Sequence, residues 1–181
     1  MANHLSRTVD TTLPAFGASA VLLQVLLVGV AAFVMPAAAH AAGVPVRVFL
    51  PMHWPVILAG LVYGWRSGLL VGAAAPLVSF AVSGMPPVFI LPAMTAELAM
   101  YGLAAGLLRE RFKLNAFLAT AAALVAGRIV YVAFAIGTGT NGTPIGEYLA
   151  AALLPGAAAA IAQLLILPIA ANGWVRLGRS R

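Results

Sequence analysis

The chain has 181 residues, 63% of them hydrophobic and only 8% charged, with a mean hydropathy of +1.04. Soluble domains carry about a quarter charged residues, so composition excludes a water-soluble fold and predicts an integral membrane protein. The net charge of +6 would suggest nucleic acid in a soluble chain. Here the basic residues flank apolar runs, where they set topology, and no nucleic-acid partner is expected. With no cysteine, there is no disulfide framework, thiolate nucleophile or thiolate metal site.

The apolar material forms long runs broken by Pro, Gly and basic clusters, which predicts an all-α membrane protein rather than a barrel of short alternating strands. In chain order, a polar start "MANHLSRTVDTTLP" precedes a first span near 15–35. A second near 52–63 and a third near 67–82 fall short of the roughly twenty residues a full span prefers, and "GWRSG" joins them. A fourth lies near 88–108, a fifth near 116–136 and a sixth near 148–171. All six belong to one membrane domain covering 1–181.

Lys and Arg orient the spans. With both termini cytoplasmic, the inner face receives Arg7, Arg66, the "RERFK" cluster (Arg109, Arg111, Lys113), Arg176, Arg179 and Arg181, whereas the outer face receives Arg47 alone. Trp65 and Trp174 then fall at the inner boundary, where indoles sit well. The stretch from "MANHLSR" to "MPAAAHAAG" also has the layout of a cleaved secretory signal, although its apolar run is longer than a usual signal core. The outer loops "HAAGVPVRVFLP" and "IGTGTNGTPIGE" are rich in Gly, Pro and small polar residues, and "SGMPP" is stiffened by two prolines. The "NGT" at Asn141 is too short a pattern to carry an argument.

Neither a P-loop, an H-E-x-x-H motif nor paired acids at metal-ligand spacing occurs. Ser79 and Ser83 have no evident base nearby, so neither an enzyme nor a cofactor is expected. Three ionisable residues lie at membrane depth: His53, Glu97 and Arg128. A charge at the bilayer centre costs on the order of 3 kcal/mol, so such groups face a partner, a cavity or both. Counting along their spans places Glu97 and Arg128 level with each other, roughly 12–14 Å below the outer surface at about 1.5 Å per residue.

His53 sits at the outer end of the second span beside Trp54, and Tyr101 and Tyr131 share the helical faces of Glu97 and Arg128. Two readings follow: a structural ion pair that locks two antiparallel helices, or a pocket that grips a polar ligand among aromatics. Gly60, Gly64, Gly68 and Gly72 recur every fourth residue, giving smooth surfaces for close helix approach within the chain or against a partner.

The stretch "FLPMHWPVILAGLVYGWRSGLLVGAAAPLVSFAVSGMPP", followed by "PAMTAELAMYGLAAGLL", resembles the substrate-binding S component of energy-coupling factor (ECF) transporters. The shared features are "PMH-x-PV-x-LAG" at Pro51, Met52, His53, Pro55, Val56, Leu58, Ala59 and Gly60, and "E-L-x-x-YG" at Glu97, Leu98, Tyr101 and Gly102. The resemblance implies a six-helix subunit in a bacterial plasma membrane. Such a subunit captures a vitamin or related micronutrient from outside and works with a membrane-embedded coupling subunit and two cytoplasmic ATPases. Substrates of relatives include pantothenate, niacin, lipoate, and precursors of pyrimidines, benzimidazoles and queuosine. The family's Ala-x-x-x-Ala on the first helix has no counterpart within 15–35.

On this reading Arg128 holds a carboxylate or other anion. Glu97 orients Arg128 or accepts a donor from the ligand, and His53, Trp54, Tyr101 and Tyr131 line the pocket. The alternative is a membrane scaffold in which Glu97 and Arg128 form a purely structural pair.

Overall fold

The computed structural model describes residues 11–138 and 144–180. Arg7, Arg181, Asn141 and the middle of the "IGTGTNGTPIGE" loop lie outside the described residues, as does the side chain of Arg47. Among the described residues the regular structure is helical: α1 (Ala18–Ala41), α2 (Val46–Phe49), α3 (His53–Tyr63), α4 (Trp65–Ser83), α5 (Leu91–Glu110), α6 (Ala116–Thr138), α7 (Ile145–Leu153) and α8 (Ala157–Arg179). Five of these, α1, α4, α5, α6 and α8, are long and apolar enough to cross a membrane, while α3 is an apolar helix of 11 residues. The chain is thus an all-α membrane protein.

Two elements depart from the sequence expectation. The first helix runs past Met35 to Ala41, and a π-helical stretch at Val30–Val34 precedes Pro36. Pro36 has no N–H to return to the fourth residue before it and crowds that residue's carbonyl, so a wider turn there relieves the clash. The apolar run expected as one span near 148–171 is divided at Leu154, Pro155 and Gly156 into α7 and α8. Pro155 has no N–H to donate and Gly156 is a poor helix former, so the break follows from the pair.

The bundle is held by backbone proximity. A side chain at Gly60 or Gly68 would collide with the carbonyl oxygen of Gly102, one at Gly72 with that of Leu98, and one at Gly106 with the backbone of Gly64 and Trp65. The glycine series therefore packs α3 and α4 onto α5 within the subunit. Without a hydrophobic drive between helices in lipid, such close approach supplies the van der Waals contact that holds them. Gly64 turns the chain between α3 and α4 with φ 86°, and the Glu110 carboxylate occupies the space a side chain would need. Side chains pointing outward, such as Leu22, Val125, Ile129, Leu165 and Ile169, are apolar and more than half exposed or close to it, as a lipid-facing surface requires.

Contacts define two ends. Leu13 N–H donates to Val62 O at 2.7 Å, Arg109 Nη2 donates to Asn172 Oδ1 at 2.7 Å, and the Tyr63 and Trp174 rings meet edge to face at 6.2 Å. This end also carries Arg66, Arg111, Lys113, Arg176 and Arg179, and is called the basic end below. The opposite end holds α2, the start of α3, and α7.

Candidate functional site

Toward the end opposite the basic cluster, three helices deliver polar side chains to one place. Glu97, on the second turn of α5, is 4% exposed. Its Oε1 accepts a hydrogen bond from Arg128 Nη1 of α6 at 3.0 Å and another from the Tyr101 hydroxyl at 3.0 Å. His53 Nε2, from the first residue of α3, lies 3.9 Å from the same oxygen, and its ring packs on Tyr101 at 4.9 Å between centroids. The expected level match is therefore a direct contact, and a single carboxylate oxygen gathers a cation, a phenol and an imidazole.

The packing explains why Tyr101 points there. Its ring fills the space beside Gly127 of α6, where an added Cβ would come within 2.5 Å of it. Gly127 thus lets α6 approach closely and brings Arg128, the next residue, to Glu97. Four residues separate Glu97 from Tyr101, one helical turn on one face, so the hydroxyl reaches back along α5 to its own carboxylate.

Arg128 remains only partly committed. Its side chain is 23% exposed against 5% for that of Glu97. A guanidinium has five N–H donors; Nη1 is on Glu97, while Nη2 lies beneath Gly156, whose added Cβ would be 2.8 Å from it and 2.8 Å from Leu50 Cδ1. The break between α7 and α8 thus passes directly over the cation. Arg128 also borders a shallow hollow of about 420 Å³ otherwise lined by Leu124, Val125, Ile129 and Val132. A second hollow, of about 700 Å³, opens at the basic end among Thr12, Tyr63, Arg66 and Glu110. The first reaches the ionic cluster only through Arg128 and otherwise opens on the lipid-facing side of α6, at Val125 and Ile129, and the second lies at the opposite end of the bundle.

The remaining sequence-predicted residues sit at the margin. Trp54 stacks on Phe49 at 5.7 Å, and its indole N–H donates to Phe49 O at 3.0 Å, fastening α2 to α3. The Tyr131 hydroxyl lies 3.3 Å from that of Tyr148, joining α6 to α7. His53, Glu97, Tyr101 and Arg128 form one contact set, while Trp54 and Tyr131 hold the elements around it. Sequence reasoning passed over Gln163 of α8, which is fully buried. A neutral amide in an alanine-rich run attracts less notice than a charge, although glutamine in mid-span is itself a signal.

No metal-competent group of three or more His, Cys, Asp or Glu occurs among the described residues. The family model described as "ECF transporter, substrate-specific component" matches residues 11–178. The chain belongs to this family: it is an ECF S component. No curated protein and no solved structure matches it. S components are substrate-binding transport subunits rather than enzymes, and their family places them with a small-molecule substrate and an ECF module.

Proposed function

We propose that this S component captures a vitamin-like micronutrient, a small molecule bearing a carboxylate or other anion, in the half of the bundle that holds Glu97 and Arg128. Arg128 holds the anion. Glu97 keeps the guanidinium in place and accepts a donor from the ligand, while His53 and Tyr101 line the site with Trp54 and Tyr131 at its rim. The observation that carries this reading is the asymmetry of the ion pair: Glu97 is sealed in, yet Arg128 keeps exposure and further donors beside the helix break at Gly156. A pair serving the fold alone would gain by burying both partners with all their hydrogen bonds met.

In this reading the domain makes six passes, α3 serving as a short one, with both termini and the basic end in the cytoplasm of a bacterial cell. The helix α7, tied to α6 through Tyr148 and Tyr131, closes over the outer site. Delivery inward uses a membrane coupling subunit and two ATPases. Native mass spectrometry of the gently purified protein tests the reading. A retained anionic small molecule supports capture, whereas an empty chain carrying only a protein partner supports the scaffold alternative and rejects capture.

A further inference from the structure

Two side chains in the interior have polar atoms with no hydrogen-bond partner among the described residues at either end of the functional group. They are His53, at Nδ1 and Nε2, and Gln163, at Oε1 and Nε2. Their relative exposures are 3% and 0%. An unsatisfied buried polar group destabilises a fold, and an apolar residue of the same size would avoid that cost. The other glutamine of the spans shows the ordinary solution, since Gln24 Nε2 donates to Ala15 O at 2.7 Å.

The two orphans lie at one level. Helices α3 and α8 pack together and run the same way, with Tyr63 against Trp174 at the basic end. His53 is ten residues back from Tyr63 and Gln163 eleven residues back from Trp174, so at about 1.5 Å per residue they stand within roughly 2 Å of the same height. Gln163 also belongs to the buried stripe of α8, with Ala159, Leu167 and Ala171. Seven residues earlier on this face is Gly156, where an added Cβ would come within 2.8 Å of Arg128 Nη2. His53 Nε2 and Arg128 Nη1 approach the same Glu97 oxygen at 3.9 and 3.0 Å. Arg128 and His53 therefore meet at Glu97, and Gln163 stands level with His53 on the helix that packs beside it.

We propose that Gln163 is a substrate-recognition residue that, with His53, hydrogen-bonds a neutral amide, lactam or ring-nitrogen group of a small organic acid whose anionic end rests on Arg128. The inference rests on the capture reading above and adds the second recognition point. A primary amide offers one acceptor and two donors, so it matches a group that both gives and takes a hydrogen bond, and it rejects an acid whose body is purely hydrocarbon. Leaving such a site unmatched costs more than a missing apolar contact, which is what makes it discriminating.

The test uses the full-length protein in detergent, equilibrated with the low-molecular-weight fraction of yeast extract and washed, with retained species read by native mass spectrometry and stability by thermal melting. Wild type is expected to retain an acid containing an amide, lactam or nitrogen heterocycle. Gln163→Leu is expected to retain about tenfold less or lower, while its melting temperature stays level or rises because an orphan amide has gone. If Gln163→Leu retains as much as wild type, or if wild type retains an acid without such a group, this inference is wrong and capture stands. A lower melting temperature with unchanged retention per folded molecule shows that the amide serves the fold and overturns the proposal. Gln163→Met serves if the leucine variant does not fold, and failure of both also assigns the amide to the fold. Wild type retaining nothing removes the capture reading and this inference with it.

Discussion

The two ends of the bundle treat arginine in opposite ways. At the basic end Arg109 is 5% exposed, its Nε donates to Thr11 O at 3.0 Å and its Nη2 to Asn172 Oδ1 at 2.7 Å, so one side chain ties the N-terminal segment, α5 and α8 together. Beside it Glu110 Oε2 accepts the Trp65 backbone N–H at 3.1 Å and so caps the start of α4, which has no side-chain cap of its own. At the other end Arg128 shares one carboxylate oxygen with a tyrosine, retains exposure, and approaches that oxygen together with the orphaned His53 imidazole, while the orphaned Gln163 stands level with His53 on α8. The basic end has one orphan of its own, the Trp65 indole N–H, on a residue whose ring lies under the Arg66 guanidinium at 4.8 Å. A completed polar network specifies a fold, and a half-completed one is a poor use of buried polar groups unless something else completes it. On the proposed reading, the contrast separates an arginine that builds the protein from an arginine left to meet a ligand.

Three substitutions probe this contrast. The largest effect belongs to the glycine seam that carries both ends: in Gly102→Val the new side chain meets the Gly68 carbonyl. Loss of about 3 kcal/mol or more of stability is expected, read as aggregation or a collapsed melting transition; a variant that melts like wild type shows that the seam is looser than described. Gly156→Val acts on one end only. Its side chain displaces Arg128 Nη2 and Leu50, so retention of the anionic small molecule should fall about tenfold with little change in melting; equal retention would detach the helix break from the site. The smallest effect is that of Tyr148→Phe, which removes the hydroxyl facing Tyr131. One neutral hydrogen bond at the rim is worth about 1 kcal/mol, so ligand dissociation should quicken roughly fivefold; an unchanged off-rate would show that this link does not govern closure.

Much of this was legible in the sequence because lipid is an exacting solvent. Apolar runs, flanking arginines and the cost of a buried charge singled out Glu97 and Arg128 and placed them at one depth. The same cost singled out His53, and register along α5 added Tyr101 to the set. The glycine series announced close packing, although which helix it met depended on tertiary contacts with Gly102 and Gly106. The break at Pro155 and Gly156 was visible as a dipeptide, but hydropathy averages across it and favours one uninterrupted span. Gln163 was the least legible residue. Whether a buried amide is satisfied depends on the neighbouring helices, and no local pattern reports it. Trp54 and Tyr131 were placed near the site by spacing alone, and their contacts with Phe49 and Tyr148 put them at its edge.

The central claim is tested most directly by measuring small-molecule retention per folded molecule for Arg128→Ala and Arg109→Ala side by side, using the yeast-extract fraction and native mass spectrometry. Arg128→Ala should lose at least about tenfold in retention while melting close to wild type, and Arg109→Ala should melt markedly lower while its folded fraction retains the molecule normally. Normal retention by folded Arg128→Ala, or equal loss in both variants, would contradict the division between a fold-building end and a ligand-binding end.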